Sequence, residues 1–328
     1  MIILTKSDVV KLLPAAACID VVASAMRQTS ERRVSLPLRQ FMPVPNSSNG
    51  RLGLMPGYIA EPARFGLKIV SKYDRPPGSP HGTHVGAVML FDAGEGLPLA
   101  LMDGGSLTAI RTAAASALAT RTLARADART LGMIGCGEEA HVHIPAMLAV
   151  RKFAEVLVWG RNAERAKAFV DHLHLPAGVT ARAVASAEQV VAASDVICTV
   201  TSAATPILMG QWIKPGTHLN LVGSAVATTA EVDSECVKRA RFYVDYREAA
   251  MAQAGELLNA IKAGVVTTDH IVGEIGEVLI GKVPGRRSAD EITLYKSLGI
   301  AAQDLTAAEY VYTAARNANV GVSVDLGS

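Results

Sequence analysis

The chain of 328 residues is half apolar, has 19% charged side chains and carries a formal net charge of +2. That length supports two domains, or one large domain with an appendage, and the apolar share supports a sizeable core rather than disorder. A charge so close to neutral speaks against a nucleic-acid footprint or a polybasic membrane patch.

Ser7 to Arg33 reads as one helix, because Val9, Leu12, Leu13, Ile19, Val22 and Met26 form an apolar stripe. From about Arg51 to Asp103 the pattern changes to strands. Arg51–Ala60 and Arg64–Tyr73 are short apolar runs bounded by Gly and Pro. Gly86–Phe91 and Leu97–Met102 flank the turn Asp92-Ala93-Gly94-Glu95-Gly96 as a hairpin, so an antiparallel sheet is expected here. Leu107 to Arg125 is rich in Ala and reads as a connecting helix. A βαβ rhythm follows, with six strands expected at Thr130–Ile134, Glu155–Trp159, Thr180–Val184, Asp195–Thr201, His218–Val222 and Phe242–Asp245. Helical segments separate most of them, at Glu138–Val150, Ala163–Leu173 and Ala187–Ala193. Beyond Ala249 the chain reads as helical again, with a polar loop at Lys282–Ser288 and a last helix at Gln303–Ala318.

The expected fold class is α/β. A Rossmann-type doubly wound parallel sheet (residues 116–299) is inserted into a second α/β domain with a mainly antiparallel sheet (1–115 plus 300–328). The four cysteines, Cys18, Cys136, Cys198 and Cys236, are far apart and form no metal-binding spacing. With no apolar run of membrane length and no signal-peptide pattern, a reduced, cytoplasmic protein without metal is expected.

The sharpest motif is Gly135-Cys136-Gly137-Glu138-Glu139-Ala140, which follows an apolar strand and opens a helix. In a dinucleotide cradle the first Gly makes the tight turn, the second lets backbone approach the pyrophosphate, and the small Ala lets the helix pack on its strand. The next strand ends Val158-Trp159-Gly160-Arg161-Asn162, with Arg165 a turn later and no carboxylate to accept from a ribose 2′-OH. Arg161 and Arg165 can clamp a 2′-phosphate, or they are solvated residues at a helix start; the first reading favours NADP(H), with NAD(H) as the alternative.

Lys68 lies in the apolar run Phe65-Gly66-Leu67-Lys68-Ile69-Val70. Either it snorkels from an edge strand, the more ordinary outcome, or it meets an anion such as a substrate carboxylate. Arg111, among small and apolar neighbours, calls for a planar partner, either a ligand carboxylate or an internal salt bridge. Arg39 is a third candidate for the same anion. His84 is a candidate general acid, though a histidine at a strand start is more often structural. His141 and His143 fall on different helix faces and make no metal pair. Asp304 reads as a helix cap.

Together these residues resemble the ornithine cyclodeaminase/μ-crystallin family, through Phe65-Gly66-Leu67-Lys68, Thr83-His84, Leu107-Thr108-Ala109-Ile110-Arg111-Thr112, the glycine turn, Gly273-Glu274-Ile275-Gly276-Glu277-Val278 and Tyr295-Lys296-Ser297-Leu298-Gly299. The resemblance implies a homodimer acting on a small imino or amino acid. Arg39, Lys68 and Arg111 would surround the substrate carboxylate, with Lys68 and Arg111 catalytic and Ser224 close to substrate. Thr83, Arg111, Gly135, Gly137, Glu138, Glu139, Ala140, Arg161, Asn162, Arg165, Thr199, Thr201 and Val222 would line the cofactor, and Ser297 would lie near its nicotinamide end.

One departure separates the family's activities. Its cyclodeaminases and alanine dehydrogenases carry an Asp shortly after the fifth-strand Gly and a Lys four residues later; this chain has Ala225 and Thr229 there. Alanine cannot activate an amine or a water. The expectation is therefore NAD(P)H-dependent reduction of a small cyclic imino acid, Δ1-pyrroline-2-carboxylate or Δ1-piperideine-2-carboxylate, to L-proline or L-pipecolate. The alternatives are a lyase that recycles its cofactor (an ornithine cyclodeaminase or cis-3-hydroxy-L-proline dehydratase), an amino-acid dehydrogenase, and a binding protein without turnover.

Overall fold

The computed structural model describes residues 1–47, 49–75, 79 and 81–326; Gly327 and Ser328, the end of the expected second-domain segment, lie outside the described residues. The chain divides into two compact units, Met1–Arg111 with Gly299–Ser328, and Thr112–Leu298.

The first unit begins with β1 (Ile2–Leu4), α1 (Lys6–Leu12) and α2 (Ala15–Ser30). The single helix expected over Ser7–Arg33 is two, bent by 85°. Pro14 takes the N-cap of α2, and the restriction it places on Leu13 ends α1 there. Strands β2 (Val34–Ser35), β3 (Gln40–Pro43), β4 (Arg51–Ala60), β5 (Ala63–Lys72), β6 (His84–Asp92) and β7 (Pro98–Asp103) follow, and β4 through β7 pair antiparallel in sequence order. α3 (Gly104–Leu123) follows, belonging to the first unit as far as Arg111 and to the second from Thr112.

The second unit runs β8 (Thr130–Ile134), α4 (Glu138–Leu148), β9 (Glu155–Trp159), α5 (Ala163–Asp171), β10 (Thr180–Ala183), α6 (Ala187–Ala193), β11 (Val196–Thr199) and β12 (His218–Leu221). It continues through α7 (Ser234–Arg239), β13 (Ala240–Val244), α8 (Arg247–Gln253), α9 (Gly255–Lys262), β14 (Ile271–Glu274), α10 (Ile275–Leu279) and β15 (Ile292–Lys296). The eight strands are parallel in the order β10-β9-β8-β11-β12-β15-β13-β14. The doubly wound sheet is therefore as expected, but its sixth place is taken by β15 and not by the strand anticipated at Phe242–Asp245. Segment Ile292-Thr293-Leu294-Tyr295-Lys296 did not read as a core strand because three of its five residues are polar, yet all five are buried.

The chain then returns to the first unit as α11 (Ala301–Ala318) and β16 (Val322–Ser323). Its sheet runs β16-β1-β7-β6-β5-β4-β2, with β3 also on β4, and is antiparallel except for the parallel pair β1–β7. Gly57 and Gly66 face each other across β4 and β5. A Cβ on Gly57 would lie 2.7 Å from Ala301 Cβ, and one on Gly66 would lie 2.8 Å from Leu305 Cδ2. This glycine pair is a notch that lets the first turns of α11 settle onto the sheet.

Candidate active site

In the first unit that notch brings the start of α11 over β5. Lys68, 3% exposed, is on an interior strand and donates to Asp304 Oδ1 at 2.9 Å. It does not snorkel. Arg111, 4% exposed, donates through Nε to the same oxygen at 2.9 Å and through Nη1 to Gln303 Oε1 at 3.0 Å. Asp304 is not a cap: it sits four residues into α11, past the N-cap Ile300, and its carboxylate joins the two cations. Gly299, at φ +76°, makes room for the guanidinium, since a Cβ there would meet Arg111 Nη1 at 2.6 Å. Half-buried Arg39 donates to the Gly299 carbonyl.

Burial pushes the Lys68 ammonium down to about 7, with Arg111 and Arg39 adding to the effect and Asp304 resisting it. For Asp304, burial works against ionisation, but Arg111 and Lys68 outweigh it and hold the carboxyl below its ordinary value. A lysine that exchanges its proton near neutrality, among two arginines and one carboxylate, is suited both to holding an anion and to proton transfer. Thr83 and His84 stand at the start of β6, joined by an Oγ1···Nδ1 contact of 3.0 Å. His84 is exposed by area, yet its ring lies among many protein atoms. That desolvation, then the charges of Lys72, Lys68 and Arg111, pushes it to about 4, so it is a neutral imidazole near pH 7 and not an acid.

In the second unit the glycine turn has the form a dinucleotide needs. Gly135 adopts φ +118°, with the Val200 carbonyl 2.8 Å from where a Cβ would be. Gly137 is the N-cap of α4, and a Cβ there would meet nothing within 4 Å. Buried Ala140 lets α4 pack closely, whereas Glu138 and Glu139 put negative charge in the first turn. An anion here would be held by backbone N–H groups and not by those carboxylates. Asn162 caps α5, accepting from Arg165 N at 2.8 Å, so its side chain is engaged within the protein. Arg161 and Arg165 are exposed and have no ion-pair partner among the described residues. Their free guanidinium groups, the open approach at Gly137 and the tight turn at Gly135 fit a dinucleotide.

Three expected side chains are occupied elsewhere. Thr199 and Thr201 turn their hydroxyls onto Glu231, each at 2.7 Å, instead of leaving them free for a ligand. Ser224 donates to the Thr229 carbonyl at 2.7 Å, so its hydroxyl is engaged within its own loop. Val222 is half-buried, its N–H on the Thr199 carbonyl at 3.0 Å. Ser297 is buried, and its hydroxyl has no partner among the described residues. Sequence reasoning missed Glu231, Glu256 and Lys296, all buried, with Lys296 Nζ 3.2 Å from Glu256. Glu231 and Lys296 stand among polar neighbours, which gave no sign of burial, whereas Glu256 directly precedes Leu257 and Leu258. Among the described residues no group of three or more His, Cys, Asp or Glu side chains could hold a metal, and all four cysteines are free thiols.

Residues 1–319 match the model of the ornithine cyclodeaminase/mu-crystallin family. The chain belongs to that family. Among members, a Δ1-pyrroline-2-carboxylate reductase of Bacillus cereus is 34% identical over 99% of this chain and all of its own length. The ketimine reductase mu-crystallin of Mus musculus is 37% identical over 85% of both chains. Of solved family structures, Δ1-pyrroline-2-carboxylate reductase of Thermococcus litoralis, in complex with NADH and L-proline, superposes with a TM-score of 0.94 at 34% identity, covering 99% of this chain and 100% of its own.

Proposed function

We propose that this family member is an NAD(P)H-dependent imine reductase that converts Δ1-pyrroline-2-carboxylate or Δ1-piperideine-2-carboxylate to L-proline or L-pipecolate, preferring NADPH. The observation that carries the reading is the buried Lys68–Asp304–Arg111 cluster with Arg39 beside it, where one carboxylate faces three basic groups. The relatives named as pyrroline-2-carboxylate and ketimine reductases support the same chemistry. A bound reduced nicotinamide supplies the hydride for C2 of the imine. Arg39 and Arg111 orient the substrate carboxylate through charge-assisted hydrogen bonds. Lys68, poised near neutrality, keeps the imine nitrogen protonated and so makes C2 electrophilic. The exposed, unpaired Arg161 and Arg165 support the preference for NADPH. Ala225 and Thr229 supply no ionisable group for cyclodeamination.

The chain also works, in this reading, as a homodimer in the cytoplasm. The sheet face opposite α11 carries Phe65, Ile69 and Val85 on neighbouring strands, all exposed, and the stacked Phe65–Phe91 pair lies on it. An apolar face of that kind calls for a partner, and a second copy supplies a matching one. The free thiols suit a reducing compartment.

The test is cofactor oxidation with Δ1-pyrroline-2-carboxylate, comparing NADPH with NADH. Oxidation with formation of L-proline is expected. Conversion of hydroxyproline or ornithine without net cofactor consumption would replace the reductase by a lyase.

A further inference from the structure

The second unit contains a buried charge network that the proposed chemistry does not use. Glu231 is fully buried, and each of its oxygens accepts two hydrogen bonds. Oε1 takes Thr201 N at 2.8 Å and Thr201 Oγ1 at 2.7 Å; Oε2 takes Thr199 Oγ1 at 2.7 Å and Gly223 N at 2.8 Å. Those four donors fill the lone-pair sites of a carboxylate. Thr199 ends β11 and Gly223 stands two residues past β12, so the carboxylate fastens the C-terminal ends of two adjacent parallel strands. The Glu231 N–H donates to Glu256 Oε1 at 3.2 Å, Glu256 pairs with Lys296 at the end of β15, and Lys296 donates to the Ser224 carbonyl. Three neighbouring strand ends are thereby tied by one chain of buried charge.

Stability does not call for this arrangement, since well-packed apolar residues commonly replace a buried ion pair at no loss. Its location is more telling. In a doubly wound sheet each half takes one mononucleotide, outside the C-terminal strand ends. The first half, β8-β9-β10, carries the glycine turn and Arg161, and among its described residues has no fully buried carboxylate. The network lies in the other half. There Ser297, directly after Lys296, keeps a buried hydroxyl without a partner among the described residues, a cost that a bound polar group would remove.

We propose that Glu231 is a positioning residue that holds the nicotinamide half of the cofactor cradle in shape through Thr199, Thr201 and Gly223; this rests on the reductase reading above. Glu231→Gln keeps the size of the side chain but points an amide at two donors, so the strand ends part locally while the adenosine half is untouched.

The experiment compares the affinity of NADH with that of ADP-ribose, which lacks the nicotinamide, by calorimetric titration of the full chain. NADH should weaken about tenfold or more in Glu231→Gln while ADP-ribose stays within about twofold. Thr201→Val should shift NADH in the same direction by less, and Thr201→Ser, which keeps the hydroxyl, should recover most of that loss. This pair decides the matter if Glu231→Gln does not fold. Equal weakening of both ligands, or unchanged NADH affinity, overturns the inference while imine reduction by the unaltered protein stands. Failure of the unaltered protein to bind either NADH or NADPH overturns both.

Discussion

Lys68 donates to Asp304 at 2.9 Å across 236 residues of chain, and this contact joins the N-terminal sheet to the returning C-terminal helix. It also sets the proton affinity of the lysine, because Asp304 is the one group that resists the effects of burial, Arg111 and Arg39. In Asp304→Asn that support is lost, and the Lys68 pKa falls further below about 7. If protonated Lys68 is the competent form, imine reduction declines as pH rises through that value. The declining limb in kcat/KM should therefore move to lower pH by about a unit or more. The variant should also lose stability by about 3 kcal/mol, because Lys68 and Arg111 are left buried together without a counter-charge. An unmoved limb would remove Lys68 from the proton chemistry.

The proposed preference for NADPH rests on Arg161 and Arg165, both exposed. Replacing both with Ser should raise the KM for NADPH about tenfold or more and leave that for NADH within about twofold, since only NADPH offers a 2′-phosphate. Equal losses with both cofactors would make the pair a general electrostatic feature of the cradle.

The two cradle glycines should fail differently. At Gly135 a side chain meets both a positive φ and the Val200 carbonyl, so Gly135→Ala should lower the melting temperature, at a cost of about 1–3 kcal/mol. Gly137 has an ordinary φ and open space around its missing Cβ. Gly137→Ala should fold as well as the unaltered chain yet bind NADH more weakly, because the methyl group occupies the approach of the phosphates. Unaltered binding there would place the pyrophosphate elsewhere.

The outward sheet face is tested by charge. Phe65→Asp and Ile69→Asp together put two carboxylates on the outward face of β5, either side of Leu67, without touching the Lys68 side of the strand. Light scattering should show a dimer for the unaltered chain and a monomer for the variant. A dimer in both would move the interface to another surface.

Much of this was legible because it is local. The Gly135–Ala140 turn, the strands at Thr130–Ile134 and Glu155–Trp159, and the Asp92–Gly96 hairpin turn are set by glycine positions and short apolar runs, and they stand where expected. What was not legible lies in pairings between distant segments. Lys68 read as an edge-strand lysine because its counter-charge is on the last helix. Asp304 read as a cap because helix position says nothing about what lies across the sheet. Lys296 hid a core strand, since a buried charge looks polar until Glu256 is placed beside it, and the bonds from the Thr199 and Thr201 hydroxyls to Glu231 join segments some thirty residues apart.

Acid should unfold the chain through its buried histidines. Burial pushes His143 down to about 4 and His218 to about 3, from an ordinary value of 6.5. His143 is held neutral in place, with Nδ1 on the Glu139 carbonyl at 2.7 Å and Nε2 3.2 Å from Ser116 Oγ. Below pH 6.5 the unfolded chain protonates both imidazoles while the folded chain protonates neither until about pH 4 and 3. The unfolded state thus binds more protons, and stability falls with pH by about 1.4 kcal/mol per unit for each histidine across that window. His84, also pushed down to about 4, adds to them, and Glu231, whose carboxyl is raised by burial, acts in the opposite sense, one group against three. Denaturant titrations between pH 7 and 4 should show this decline, and His143→Gln, which retains a hydrogen-bonding side chain but cannot charge, should make it less steep by about a third. An unchanged slope in that variant would mean that His143 gains its proton without unfolding, through an opening of α4 that the folded chain permits.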